Sequence, residues 1–165
     1  MKILGIDPGT VIIGYGIVES DQDVLSSVVY GVIKCRERLS LPDRLCHIYE
    51  ELVKIIEQYK PEVAAIETPF VGDNIKSAFV IGKAQAVAIL AASQRNIPIF
   101  EYSPASVKSH VAGYGASSKE QVQEMVKMLL NLDGVPEPCD AADALAVAIC
   151  HSRESTLREI VSRGQ

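Results

Sequence analysis

Apolar positions change period several times along the chain. Residues 2–7, about 13–19 and about 24–34 are short β-rich runs punctuated by Gly, Asp and Ser, which predict a strand followed by a meander. Leu45, Ile48, Leu52, Ile55, Ile56 and Tyr59 then recur at helical spacing until Pro61 closes the pattern. A new apolar run, VAAIE at 63–67, reads as a fourth strand ending on Glu67. The loop TPFVGDN (68–74) leads into a long helix from about Asn74 to Gln94, and PIFEY (98–102) is a fifth strand. Ser118 and Gln121 form a capping-box pattern ahead of a helix whose apolar stripe is Val122, Met125, Val126 and Leu129. A last helix is expected to start near Asp140 and run through ALAVAIC, with the polar residues 152–165 fraying or docking loosely.

Three strands, helix, strand, helix, strand, then helices is the order of an RNase H-like α/β domain, a mixed five-stranded sheet flanked by helices. No repeat or low-complexity linker divides the chain, so residues 1–165 are expected to form a single domain. On that topology strands one and four are neighbours. Asp7 and Glu67 then face each other at the C-terminal strand ends, where open α/β sheets place their ligands. The helix over 74–94 carries Ala78, Phe79, Ile81, Ala84, Val87 and Leu90 and is apolar nearly all round. One sheet cannot cover every side of it, which predicts a second copy of the chain as partner, the alternative being a central helix buried within one subunit. Gly82 and alanines such as Ala84 are expected to let that copy approach closely.

With 165 residues, 48% of them hydrophobic, the chain can bury a sizeable core. Its most sustained apolar stretch, Ala86 to Ala92, falls far short of the roughly 18–20 residues that cross a bilayer. Asp7 interrupts any secretory-signal core, so a soluble, cytoplasmic protein without a membrane partner is expected. Cys35, Cys46, Cys139 and Cys150 form no CxxC pair and read as buried, reduced thiols. The formal charge of −5 lacks the basic signature of a simple nucleic-acid binder. Carboxylates gathered around a bound divalent metal would remove most of that excess.

Asp140 and Asp143, in CDAADALA, are three apart on a helix and share a face. The small alanines around them allow close approach to a sheet. With Asp7 and Glu67 they make a hard, all-oxygen set suited to Mg²⁺ or Mn²⁺ rather than zinc. Two such ions would activate a water and stabilise the leaving oxygen in phosphodiester hydrolysis. Each acid also has an ordinary reading: Asp7 before Pro8-Gly9 as a turn acid, Asp140 as a helix cap. A turn does not require Glu67, however, and a cap does not require Asp143.

GIDPGT with GYGIV shortly after, AIE followed by Phe70, VKSHVAGYG, SKEQVQEMV and DAADALAVAI together make the chain resemble the RuvC-type Holliday junction resolvases over almost its entire length. The resemblance implies a homodimeric, Mg²⁺-dependent endonuclease with an RNase H-like fold that makes paired nicks in a four-way DNA junction, with two metal ions per site. Mn²⁺ is expected to substitute. The family's acids carry over onto Asp7, Glu67, Asp140 and Asp143, its junction-stacking aromatic onto Phe70, and its phosphate-contacting lysines onto Lys108 and Lys119. It also suggests the RuvAB branch-migration complex as a partner.

Phe70 in a polar loop could stack on an unpaired base or fold back into the core. Thr68-Pro69 stands where a less rigid pair is expected, and Pro69 biases Thr68 toward an extended conformation, which bears on the reach of Phe70. Lys119 falls in the first turn of its helix, where the macrodipole favours anions, so its charge does not serve the helix. An actin-like ATPase or sugar kinase also uses an Asp-x-Gly-Thr turn, but no second phosphate loop is present. A non-catalytic junction-binding protein is the other alternative.

Overall fold

The computed structural model describes residues 1–21, 24–36, 38–69 and 75–163. Five strands, β1 (Lys2–Asp7), β2 (Ile12–Asp21), β3 (Val24–Lys34), β4 (Val63–Glu67) and β5 (Ile99–Tyr102), form one sheet in the order β3-β2-β1-β4-β5. β1 runs antiparallel to β2 and parallel to β4, and β4 is parallel to β5. The expected mixed sheet and the neighbouring of the first and fourth strands are therefore present.

β1 reads as a continuous apolar run because helices cover both of its faces. On one face α1 (Leu41–Tyr59) and α2 (Ile75–Ser93) pack Ile48, Leu52, Ala84 and Ala88 against Leu4, Ile6 and Ile66. On the other, α3 (Pro104–Ala112), α4 (Lys119–Leu129) and α5 (Cys139–Arg163) pack Val107, Val126, Leu145 and Ile149 against Ile3 and Ala65.

Local chemistry sets the helix limits. Ser40 accepts from the Asp43 amide at the start of α1, and Lys60 closes it in the left-handed region with φ 50°. The capping box expected at Ser118 and Gln121 forms, with both reciprocal bonds made. α3 has no counterpart among the elements read from the sequence. Its signal was Ser103-Pro104, an N-cap acceptor followed by proline at the first helical position.

Three expectations are corrected. The segment 152–165 does not fray from its start, because α5 continues to Arg163. Arg153 donates to the His110 carbonyl at the end of α3, and Ser152 donates to Ser20 at 2.9 Å, which docks this stretch on the rest of the chain. Cys46 and Cys139 are exposed, and only Cys35 and Cys150 are buried. Ala84 is fully buried in this chain's own core rather than facing a second copy.

The outer side of α2 does remain uncovered, with Phe79 72% and Ile75 55% exposed. By length and composition alone α2 could cross a bilayer. Its alanine face, however, is occupied by α1 and the sheet.

Candidate active site

Asp7 and Glu67 end adjacent parallel strands whose register pairs Ile6 with Ile66, so the two carboxylates emerge side by side at the C-terminal strand ends. Asp140 and Asp143 arrive from the first turns of α5, which lies directly on β1 and β2. That closeness depends on two glycines. A Cβ on Gly14 would stand 1.9 Å from the Asp140 carbonyl oxygen, and one on Gly5 would stand 2.0 Å from that of Ala144. The helix backbone therefore sits where side chains would otherwise be, which brings its acids down to the strand ends. Asp140 lies past the first residue of α5, inside the helix rather than at its cap.

The charges in the group perturb one another. Burial, followed by the charges of Glu67, Asp143 and Asp140, pushes the Asp7 carboxyl up to about 8. Burial and Asp143 push Glu67 up to about 7 against the opposing pull of Lys119, a hydrogen bond with Asp7, and Lys108. Asp143 is also raised, chiefly by burial, although Lys119 counters it. Such elevation is what several acids produce when they share a poorly solvated site without enough counter-charge.

Lys119 donates to Asp143 Oδ2 at 2.6 Å. A cavity of about 180 Å³ beside the acids is lined by Glu67, Asp143, Lys108 and Lys119, together with Val107 and Ala146. Both expected lysines thus stand with the carboxylates. Phe70 lies outside the described residues. Among the described residues no three His, Cys, Asp or Glu side chains stand close enough together, as placed, to hold a metal ion. What suits a divalent cation is the donor chemistry, oxygen throughout, and the unmet negative charge. The ion pair of Lys119 with Asp143 and the glycine contacts of α5 were missed in the sequence. The glycines left a trace there, since Gly5 interrupts the first apolar run and Gly14 and Gly16 the second, where an interior glycine marks a close backbone approach.

The family model described as crossover junction endodeoxyribonuclease RuvC matches residues 3–151. The chain belongs to the RuvC family. A RuvC relative from Dehalococcoides mccartyi (strain ATCC BAA-2100 / JCM 16839 / KCTC 5957 / BAV1), named crossover junction endodeoxyribonuclease, is 54% identical over 164 residues, which are 99% of this chain and 98% of the relative. The solved structure of T. thermophilus RuvC in complex with a Holliday junction substrate superposes with a TM-score of 0.90 at 30% identity, covering 95% of this chain and 96% of that one. The yeast mitochondrial Holliday junction resolvase Ydc2 shares the fold, with a TM-score of 0.67 at 19% identity over 95% of this chain and 82% of its own. The RuvC assignment and the RNase H-like architecture expected from the sequence both hold.

Proposed function

We propose that the chain is a structure-selective endonuclease that resolves four-way DNA junctions by paired, symmetric nicks, in the cytoplasm, in recombination and DNA repair. Residues 1–165 act as one nuclease domain within a homodimer, and the RuvAB branch-migration complex is its partner. The observation that carries this reading is the meeting of Asp7, Glu67, Asp140 and Asp143 at one end of the sheet, buried enough to raise Asp7 and Glu67 to about 8 and about 7.

The RuvC family is a family of metal-dependent nucleases. The four carboxylates would hold two Mg²⁺ ions, with Mn²⁺ as a substitute, since hard oxygen donors select these metals. Bound there, the metal would supply Lewis acidity toward the phosphate and the attacking water. The water's oxygen bonds to phosphorus as the bond to O3′ breaks. The products are a 5′-phosphate and a 3′-hydroxyl. Lys108 and Lys119, on the rim of the same cavity, bind backbone phosphates. Phe70, three residues beyond Glu67, stacks on a base unpaired at the crossover.

Symmetry and the exposed side of α2 both support the homodimer. A four-way junction has approximate two-fold symmetry, and an isologous dimer sets two active sites about a dyad. The uncovered face bearing Ile75, Phe79 and Leu90 supplies an apolar surface for it.

The test is cleavage of a synthetic four-way junction with Mg²⁺ and with chelator, against a linear duplex of the same sequence. Paired nicks that require the metal and the junction are expected. Binding without cleavage under every metal condition would favour the non-catalytic junction-binding alternative.

A further inference from the structure

Lys119 occupies an electrostatically awkward place. It is the first residue of α4, where the helix end is positive and a cation gains nothing from it. Its Nζ lies 2.6 Å from Oδ2 of Asp143, one of the four carboxylates assigned above to the metal. The side chain is 50% exposed, and the cavity beside it gives the ammonium somewhere to go. The pair is open to solvent on the lysine side, 50% against 25% for Asp143, so the ammonium is the partner free to leave.

We propose that Lys119 is a displaceable counter-ion: it holds Asp143 in the cation-free protein and gives that carboxylate to a divalent cation as its own ammonium moves to a phosphate of the bound junction. The proposal rests on the reading that the four acids hold the cation and that the chain binds junction DNA. A cation arriving alone must break the ion pair and then sit beside a stranded ammonium. DNA arriving alone, if it draws Lys119 away, sets its phosphates next to uncompensated carboxylates. When both are present, the cation neutralises the acids and Lys119 neutralises a phosphate. Cation and junction therefore each raise the other's affinity by the same factor. Lys108 lines the same cavity but makes no ion pair with these acids among the described residues, so it supplies phosphate contact without this coupling.

The experiment is a Mn²⁺ titration followed by the electron paramagnetic resonance of the free ion. It uses the full chain, with and without a four-way junction made non-cleavable at the crossover. The proteins are wild type, Asp7→Asn, Lys119→Met and Lys119→Arg. Without DNA, Lys119→Met should bind Mn²⁺ about tenfold more tightly than wild type, equivalent to about 1.4 kcal/mol. Lys119→Arg keeps a cation on Asp143 and should stay near wild type. Adding the junction should tighten Mn²⁺ binding to wild type by a larger factor than it tightens binding to Lys119→Met. The substitution is at a half-exposed position and leaves the buried core untouched, which far-UV circular dichroism checks. If wild type binds Mn²⁺ through Asp7 while Lys119→Met binds no more tightly, the counter-ion proposal is overturned and the metal site stands. If wild type binds no Mn²⁺ even with the junction, the site itself falls, and this proposal falls with it.

Discussion

Replacing Asp7 by Asn should stabilise the metal-free protein, although it removes a residue assigned to the active site. The Asp7 carboxyl ionises at about 8 rather than at its ordinary 3.8, so the folded state binds more protons than the unfolded state across that interval. The acid therefore lowers stability progressively as pH rises from about 4, and its full effect is present above about 8. At roughly 1.4 kcal/mol per pH unit, the whole window amounts to about 6 kcal/mol. The amide remains desolvated in the same place, which reduces the expected gain to about 2–4 kcal/mol at pH 8. For a chain of this length that is a rise in Tm of roughly 5–15 °C.

Thermal unfolding of chelator-treated wild type and Asp7→Asn, compared at pH 8 and pH 4, measures it. The gain should be large at pH 8 and nearly absent at pH 4. Mg²⁺ should raise the Tm of the wild type at pH 8 and that of the variant much less, since only a ligand held by the native state stabilises it. A variant no more stable than wild type at pH 8, or stabilised equally at both pH values, would refute the crowding of buried acids on which the site rests.

Gly14→Ala should cost at least about 1–3 kcal/mol of stability by forcing α5 off the sheet. It should also abolish junction cleavage, because Asp140 moves with the helix; unchanged unfolding and cleavage would show that the close approach of α5 is not required. Phe79→Asp puts a charge on the exposed side of α2 and should yield a folded monomer in sedimentation equilibrium, with single rather than paired nicks; a variant that remains dimeric removes α2 from the interface. Phe70→Ala should weaken junction binding by roughly 1–3 kcal/mol for each base stacked. Lys108→Ala should lower the salt dependence of junction binding by about one phosphate contact. Titrations over a range of salt separate the two effects, and wild-type behaviour in both would end the assignment of DNA contacts.

Periodicity and punctuation in the sequence were enough to determine the five strands, α1 and α4, because each repeats its apolar residues at its own period or carries its own cap, while α2 and the start of α5 were legible as long apolar runs. The neighbouring of the first and fourth strands followed from the RNase H-like element order, and with it the expectation that Asp7 and Glu67 stand side by side. The motifs placed Asp140, Asp143, Lys108 and Lys119 at the site before any contact was visible. The full length of α5 was not legible, because SRESTLREIVSRGQ has no strong apolar stripe, and bonds to His110 and Ser20, far away in sequence, help to hold it.

Exposure was also decided by packing. Nothing local distinguishes the exposed Cys46 and Cys139 from the buried Cys35 and Cys150. Nor could composition show that Ala84 faces inward while Phe79 faces out, since α2 is apolar on every side. Above all, tertiary structure determined the electrostatics. A carboxylate's ionisation depends on how much water and how many other charges lie within a few ångströms of it. The elevation of Asp7 and the attachment of Lys119 to Asp143 arise only when residues from β1, β4, α4 and α5 meet at one point in space.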